Sequence, residues 1–178
     1  MTARTSRTTQ QPTTQPAAQA RMIPAGSVVM NVVVRVAGTV PTRLDLTHVG
    51  TPEQRLGMSL GTVLVYLRSG ITARAVAEAW GRASGLGRSL PPALAGRRPL
   101  VVGPSTIGAL VQLAGIPQTT AVLVPAHDGP GAPQMLRIGV GPMTWEVCDA
   151  NAYTSLLRAW RQAARLIEDN PGEDDDHG

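Results

Sequence analysis

Residues 51–70 read TPEQRLGMSLGTVLVYLRSG, and the way this stretch folds decides how the rest of the chain is parsed. Thr51 offers a hydroxyl at a helix cap, Pro52 suits a first turn, and Gln54 stands three residues after Thr51, as in a capping box. Leu56, Leu60, Val63, Leu64 and Leu67 then recur at helical spacing and line one face, and Ser69-Gly70 supplies a stop. The pattern predicts an amphipathic helix opened by Thr51 and closed at Ser69-Gly70.

The flanking segments are read outward from that helix. Val28, Val29, Val32, Val33, Val34 and Val36 form a β-branched run closed by Gly38, and Thr42 to His48 alternates Leu44 and Leu46 with polar neighbours, so the two suggest a hairpin. A second helix is expected from Thr72, with Ala73, Val76, Ala77 and Trp80 inward and Arg74, Glu78 and Arg82 on an exposed stripe. Leu100 to Val102 reads as a short strand turning at Gly103-Pro104 into a helix from Ser105 to Ala114 that Gly115 ends. Ala121 to Val124 reads as a strand, and Met135 to Val140 with Thr144 to Cys148 as a hairpin turning at Gly141-Pro142. Tyr153, Leu156, Leu157, Trp160, Ala164 and Ile167 mark a closing helix from Ala150 to Ile167. No repeat with a period of roughly 20 to 50 residues is visible.

These elements predict an α+β fold: one compact domain over residues 26–167, with a mixed sheet packed by about four helices. Residues 1–25 are rich in Thr, Gln, Pro and Ala and poor in bulky apolar side chains, the composition of a disordered arm. Residues 168–178 hold six of the 12 acids and read as an acidic, solvated tail. Pro99 to Ala126 carries no charge and is long enough to cross a bilayer, but Pro104, Gln112, Pro117 and Gln118 split it into short pieces, so no membrane partner is expected. With no secretory core and one cysteine, the chain fits a reducing, cytoplasmic setting.

Several motifs for chemistry are incomplete. His48, His127 and His177 lie far apart, and no pair has the spacing of metal ligands, so neither a metal nor a cofactor is expected. Gly103 and Gly108 repeat the first glycine spacing of a nucleotide-binding P-loop, yet Ala109 and Leu110 stand where the phosphate and magnesium contacts belong. Thr106 to Val124 resembles a DNA-binding helix-turn-helix around Ala114-Gly115. Its second half lacks the long polar side chains that read base edges. Cys148 sits at the end of an apolar strand, the environment of a small buried hydrophobe. A small enzyme using the Ser105 turn, His127 or Cys148 remains a competing class.

Charge is the most distinctive property. All 16 basic side chains are arginine, and residues 26–167 contain 13 of them against six acids, a balance of +7. A GC-rich genome would produce the same bias, but arginine also pairs bidentately with phosphate and carboxylate. Arg82, Arg88, Arg97 and Arg98 crowd one loop, and Arg158, Arg161 and Arg165 share one stripe of the closing helix. The functional expectation is a non-catalytic binding or accessory protein that uses these seven arginines to contact nucleic acid nonspecifically or an acidic protein. An oligomeric structural subunit is the alternative, with a homo-oligomer as its partner. Aromatic residues are too few for base-stacking platforms.

Overall fold

The computed structural model describes residues 31–93, 108–126 and 133–170. The stretch read as a helix is a β-hairpin over residues 55–67. β3 (Arg55–Leu60) turns through Gly61 and Thr62 into β4 (Val63–Leu67), with Leu60 paired to Val63. Gly61 has φ +62° at the first central position of this two-residue turn, where glycine avoids the Cβ clash and matches the twist of the strands. Leu56, Met58 and Leu60 with Val63, Val65 and Leu67 are all at most 3% exposed, a period of two on each strand. Thr51 spends its hydroxyl on the His48 carbonyl, and Ser69, expected to stop a helix, caps the next one by accepting from the Thr72 amide.

The remaining elements are β1 (Val32–Val36), β2 (Thr42–Thr47), α1 (Gly70–Arg82), α2 (Ser84–Gly87), β5 (Ala109–Leu113), β6 (Thr119–Pro125), β7 (Gln134–Val140), β8 (Met143–Val147) and α3 (Ala150–Glu168). Among the described residues they make an α+β fold of two four-stranded mixed sheets, ordered β1-β8-β7-β6 and β2-β3-β4-β5, with three helices where the sequence predicts about four. The hairpin of β7 and β8 and the helix α3 lie where the sequence places them. Two further expectations fail. β1 and β2 do not pair, because β1 runs parallel to β8 while β2 joins β3 in the other sheet. The segment read as a helix to Ala114 is strand from Ala109, where Val111 and Leu113 point inward and Leu110 and Gln112 outward, and β5 lies parallel to β4. The Leu100–Val102 strand lies outside the described residues.

The order β1-β2-β3-β4-α1 is repeated as β5-β6-β7-β8-α3. Leu56, Gly61, Ala79, Trp80 and Ala83 recur as Leu136, Gly141, Ala159, Trp160 and Ala163, each residue number in the second set being the first plus 80. The helix caps Ser69 and Asp149 obey the same offset. Each half keeps a three-stranded antiparallel meander but hands its first strand to the other half, so β1 completes the second sheet and β5 the first.

α1 and α3 run in opposite directions: Arg74 meets Glu168, Gly81 meets Arg161 and Gly87 meets Tyr153. Their inner faces bury Trp80 and Trp160, with ring centroids 6.5 Å apart, and Trp145 of β8 approaches Trp80 edge-on at 6.2 Å. Tyr153 stacks on Trp80 at 5.9 Å and donates its hydroxyl to the Trp80 carbonyl. All three indole N–H groups are buried without an acceptor among the described residues. Each such donor costs about 1–3 kcal/mol, while aromatic pairs of this geometry return about 0.5–1.5 kcal/mol beyond their area.

Candidate functional site

Two half-exposed arginines share one carboxylate on the outer face of a sheet. Arg35, Glu146 and Arg137 stand opposite one another on β1, β8 and β7, since strand register brings alternate residues to one face in a row. The Glu146 carboxylate is 7% exposed and accepts from both guanidinium groups at 2.7–2.8 Å. The hydrogen bond from Arg137 holds its carboxyl below the ordinary value of 4.5; Arg35 adds to this and burial opposes it. A depressed folded value stabilises the native state above the unfolded value and ceases to do so as pH falls through the folded one. Glu146→Gln is therefore expected to lose about 1.5–3 kcal/mol at pH 7 in urea unfolding. The gap from the parent protein should narrow as pH falls below 4.5 and close once pH passes the depressed folded value, and a gap independent of pH would contradict the assigned charge.

The outer face of the other sheet differs at the equivalent positions. Gly57 stands where Arg137 does and Tyr66 where Glu146 does, and the Tyr66 ring comes within 3.2 Å of where a Gly57 Cβ would lie. Arg55 lies over that ring at 5.3 Å. The result is an open hollow of about 290 Å³ among Arg43, Asp45, Arg55, Ser59 and Tyr66. Sequence reasoning did not anticipate it. Asp45 stands among its arginines, so the surface is not uniformly basic.

The helices carry the other basic residues. Arg158, Arg161 and Arg165 are exposed on α3, as expected from their spacing, and Thr154 continues their stripe toward the N-terminus. Arg88 follows α2, which packs onto the start of α3 because Gly87 has no side chain. A Cβ there would meet the Tyr153 ring at 2.7 Å. Arg88 thereby lines a small cleft with Tyr153 and Thr154, at the head of the stripe. Burial pushes the Tyr153 hydroxyl up, and the charges of Arg161 and Arg88 both act in the opposite sense, so both guanidinium groups are near the ring. Arg161 also reaches across to Gly81, 3.8 Å from where its Cβ would stand, beside Arg82 in the last turn of α1. Arg82 belongs to this helix rather than to a loop.

Arg82, Arg88, Arg158, Arg161 and Arg165 thus share the helical layer, while Arg97 and Arg98 lie outside the described residues. Arg82 has Glu78 at 3.9 Å, an exposed pair of little strength. Among the described residues, Arg88, Arg158, Arg161 and Arg165 have no carboxylate within 4.0 Å.

No family model, curated protein or solved structure matches this chain. Its chemistry must therefore be read from its own side chains. Cys148 is 3% exposed, with its thiol 3.8 Å from the Glu146 carbonyl, so a substrate has no path to it without local opening. His48 lies in an exposed turn with φ +56°. Ser105, His127 and the P-loop-like glycine Gly103 lie outside the described residues. The helix-turn-helix resemblance is overturned, because both of its described segments are strands, β5 and β6. Among the described residues, no three His, Cys, Asp or Glu side chains gather as a metal site, and no helix is long and apolar enough to cross a membrane.

Proposed function

We propose that this chain is a non-catalytic binding protein that contacts the phosphate backbone of nucleic acid, without reading sequence, through Arg158, Arg161 and Arg165 of α3 with Arg88 and Arg82 beside them. The observation that carries this reading is the difference between the two halves. The positions equivalent to Arg88, Arg158, Arg161 and Arg165 are Glu168, Glu78, Gly81 and Gly85. At one end of the helix pair Glu168 closes an ion pair with Arg74. At the other end the equivalent residues, Arg88 and Thr154, line one cleft, and threonine has no charge with which to neutralise the guanidinium. A frame that folds with glycine or glutamate at these places does not need arginine there for stability. Codon bias explains arginine in place of lysine, but not a cation at four positions whose equivalents carry none.

The spacing favours a phosphate backbone. Arg158 and Arg165 are seven residues apart, about 10 Å along a helix, close to the rise of three nucleotides at about 3.4 Å each. The nearby aromatic rings, Tyr153 and Trp160, are buried, so bases have no exposed platform on which to stack. Contact through phosphate alone predicts binding that is indifferent to sequence and steeply dependent on salt.

Fluorescence anisotropy with a labelled duplex of arbitrary sequence tests this reading. With Arg82 partly occupied by Glu78, the four unpaired arginines Arg88, Arg158, Arg161 and Arg165 should give log K against log salt a slope near −3.6, with little change when the sequence is scrambled. Absence of binding at about 25 mM salt, where counterion release favours binding most, would remove the proposal.

A further inference from the structure

We infer that each half of the chain presents an interaction surface fitted to another copy of the same unit, so that a second copy of this chain can supply the complementary half. The surface is the one the two halves now share. It consists of the free edge of β4 or β8, which takes the first strand of the opposite half, and the inner face of α1 or α3 with its tryptophan. In register, Val63–Leu67 pairs with Ala109–Leu113 and Val32–Val36 with Met143–Val147.

The corner after each exchanged strand docks on the opposite half's helix in an equivalent way. Gly38 donates its amide to Asp149, the N-cap of α3, at 2.8 Å, and the Gly115 carbonyl accepts from the Thr72 hydroxyl in the first turn of α1 at 2.7 Å. Ala37-Gly38 and Ala114-Gly115 are the same dipeptide at the same place in each half. Gln54 to the Asn170 carbonyl, Val40 to Ser155 and Tyr153 to the Trp80 carbonyl add further hydrogen bonds across the division. Trp80 and Trp160, equivalent residues, face each other across it. Two parallel strand pairings and a helix pair hold the halves together, and covalent continuity is only one of the links. Nothing in this surface distinguishes the half on the same chain from the same half on another, so exchange is a matter of concentration and of a chance to open.

The test uses the full chain with a recognition site for a specific protease inserted between Ala95 and Gly96, prepared at natural isotope abundance and in ¹⁵N-labelled form. Each folded protein is cut, the two are mixed, unfolded in urea and returned to buffer, and the product is weighed by native mass spectrometry. The expected result is that the cut fragments remain together as a one-to-one complex, and that after refolding about half of the complexes pair a light fragment with a heavy one. Separation or aggregation of the fragments on cutting would overturn the inference, as would recovery of parental pairs alone. If the inserted site prevents folding, the unmodified light and heavy chains are refolded together at high concentration. A dimer containing both labels supports the exchange, and monomer at every concentration contradicts it. Neither readout depends on nucleic-acid binding.

Discussion

Trp160→Ala is expected to remove about 3–5 kcal/mol of stability, a large share of the total of about 5–15 kcal/mol typical of a domain. The ring is fully buried and faces Trp80 at 6.5 Å between the two helices, so its loss opens a cavity at the contact between the halves. Urea unfolding followed by far-ultraviolet circular dichroism would show the midpoint shift. Trp160→Phe should cost far less, below about 2 kcal/mol, because a ring still meets Trp80 and the substitution removes a buried N–H that has no acceptor. Equal losses for alanine and phenylalanine would mean that the ring packing contributes little.

The second large effect concerns affinity. Replacing Arg158, Arg161 and Arg165 together by alanine would remove the three phosphate contacts proposed for them, which should lower the salt slope by about 2.7. Between about 50 and 200 mM salt, the parent protein should then lose roughly fortyfold more affinity than the variant does. At the lower salt the variant should bind at least about tenfold more weakly. The three side chains are exposed and make no hydrogen bond or ion pair among the described residues, so circular dichroism and thermal midpoint should be nearly unchanged. Alanine is also the best helix former, which makes loss of α3 an unsuitable explanation for lost binding.

The largest misreading, the helix over 51–69, has a definite physical origin. In a hairpin with a two-residue turn, the inward residues Leu56, Leu60, Val63 and Leu67 fall at spacings of four, three and four, which is also the spacing of a helix face. Met58 and Val65 separate the two cases. They continue the alternation of each strand and are fully buried, whereas a helix carrying that stripe would turn them away from it. Gly57 and Gly61 point the same way, since both weaken a helix, and Gly61 is suited to the turn.

α3 and the β7–β8 hairpin were legible because their patterns are long or carry a Gly-Pro turn that admits one reading. β5 was not: its five residues are bounded by a glycine that ends helices as readily as it turns strands, and its partner β4 was itself misassigned. The expected β1–β2 hairpin failed because proximity in sequence stands in for pairing until the exchange of first strands is known. The duplication lay beyond periods of 20 to 50 residues, and its trace is a few identities with one offset. Trp80 with Trp160 and Gly61 with Gly141 were the signal that would have revealed it.

For the arginines, spacing on α3 was enough to place Arg158, Arg161 and Arg165 on one stripe. Their company was not visible in the sequence. Arg88 is brought to that stripe by the absence of a side chain at Gly87, and Arg35 and Arg137 are drawn together on one sheet face by a shared carboxylate more than a hundred residues from Arg35. Both effects depend on tertiary packing and strand register, which no local pattern encodes.

Position on the α3 face, and not total charge, is what we propose makes the binding surface. Two triple variants of equal net charge test it: Arg158, Arg161 and Arg165 to alanine, and, also to alanine, Arg43 and Arg55 of the hollow on the β2-β3-β4-β5 sheet with Arg68, which follows β4 and donates to the Pro52 carbonyl. In anisotropy titrations against the same duplex at about 50 mM salt, the first should lose at least tenfold in affinity and about 2.7 in salt slope. The second should lose less than about threefold. Equal losses from the two variants would contradict the account.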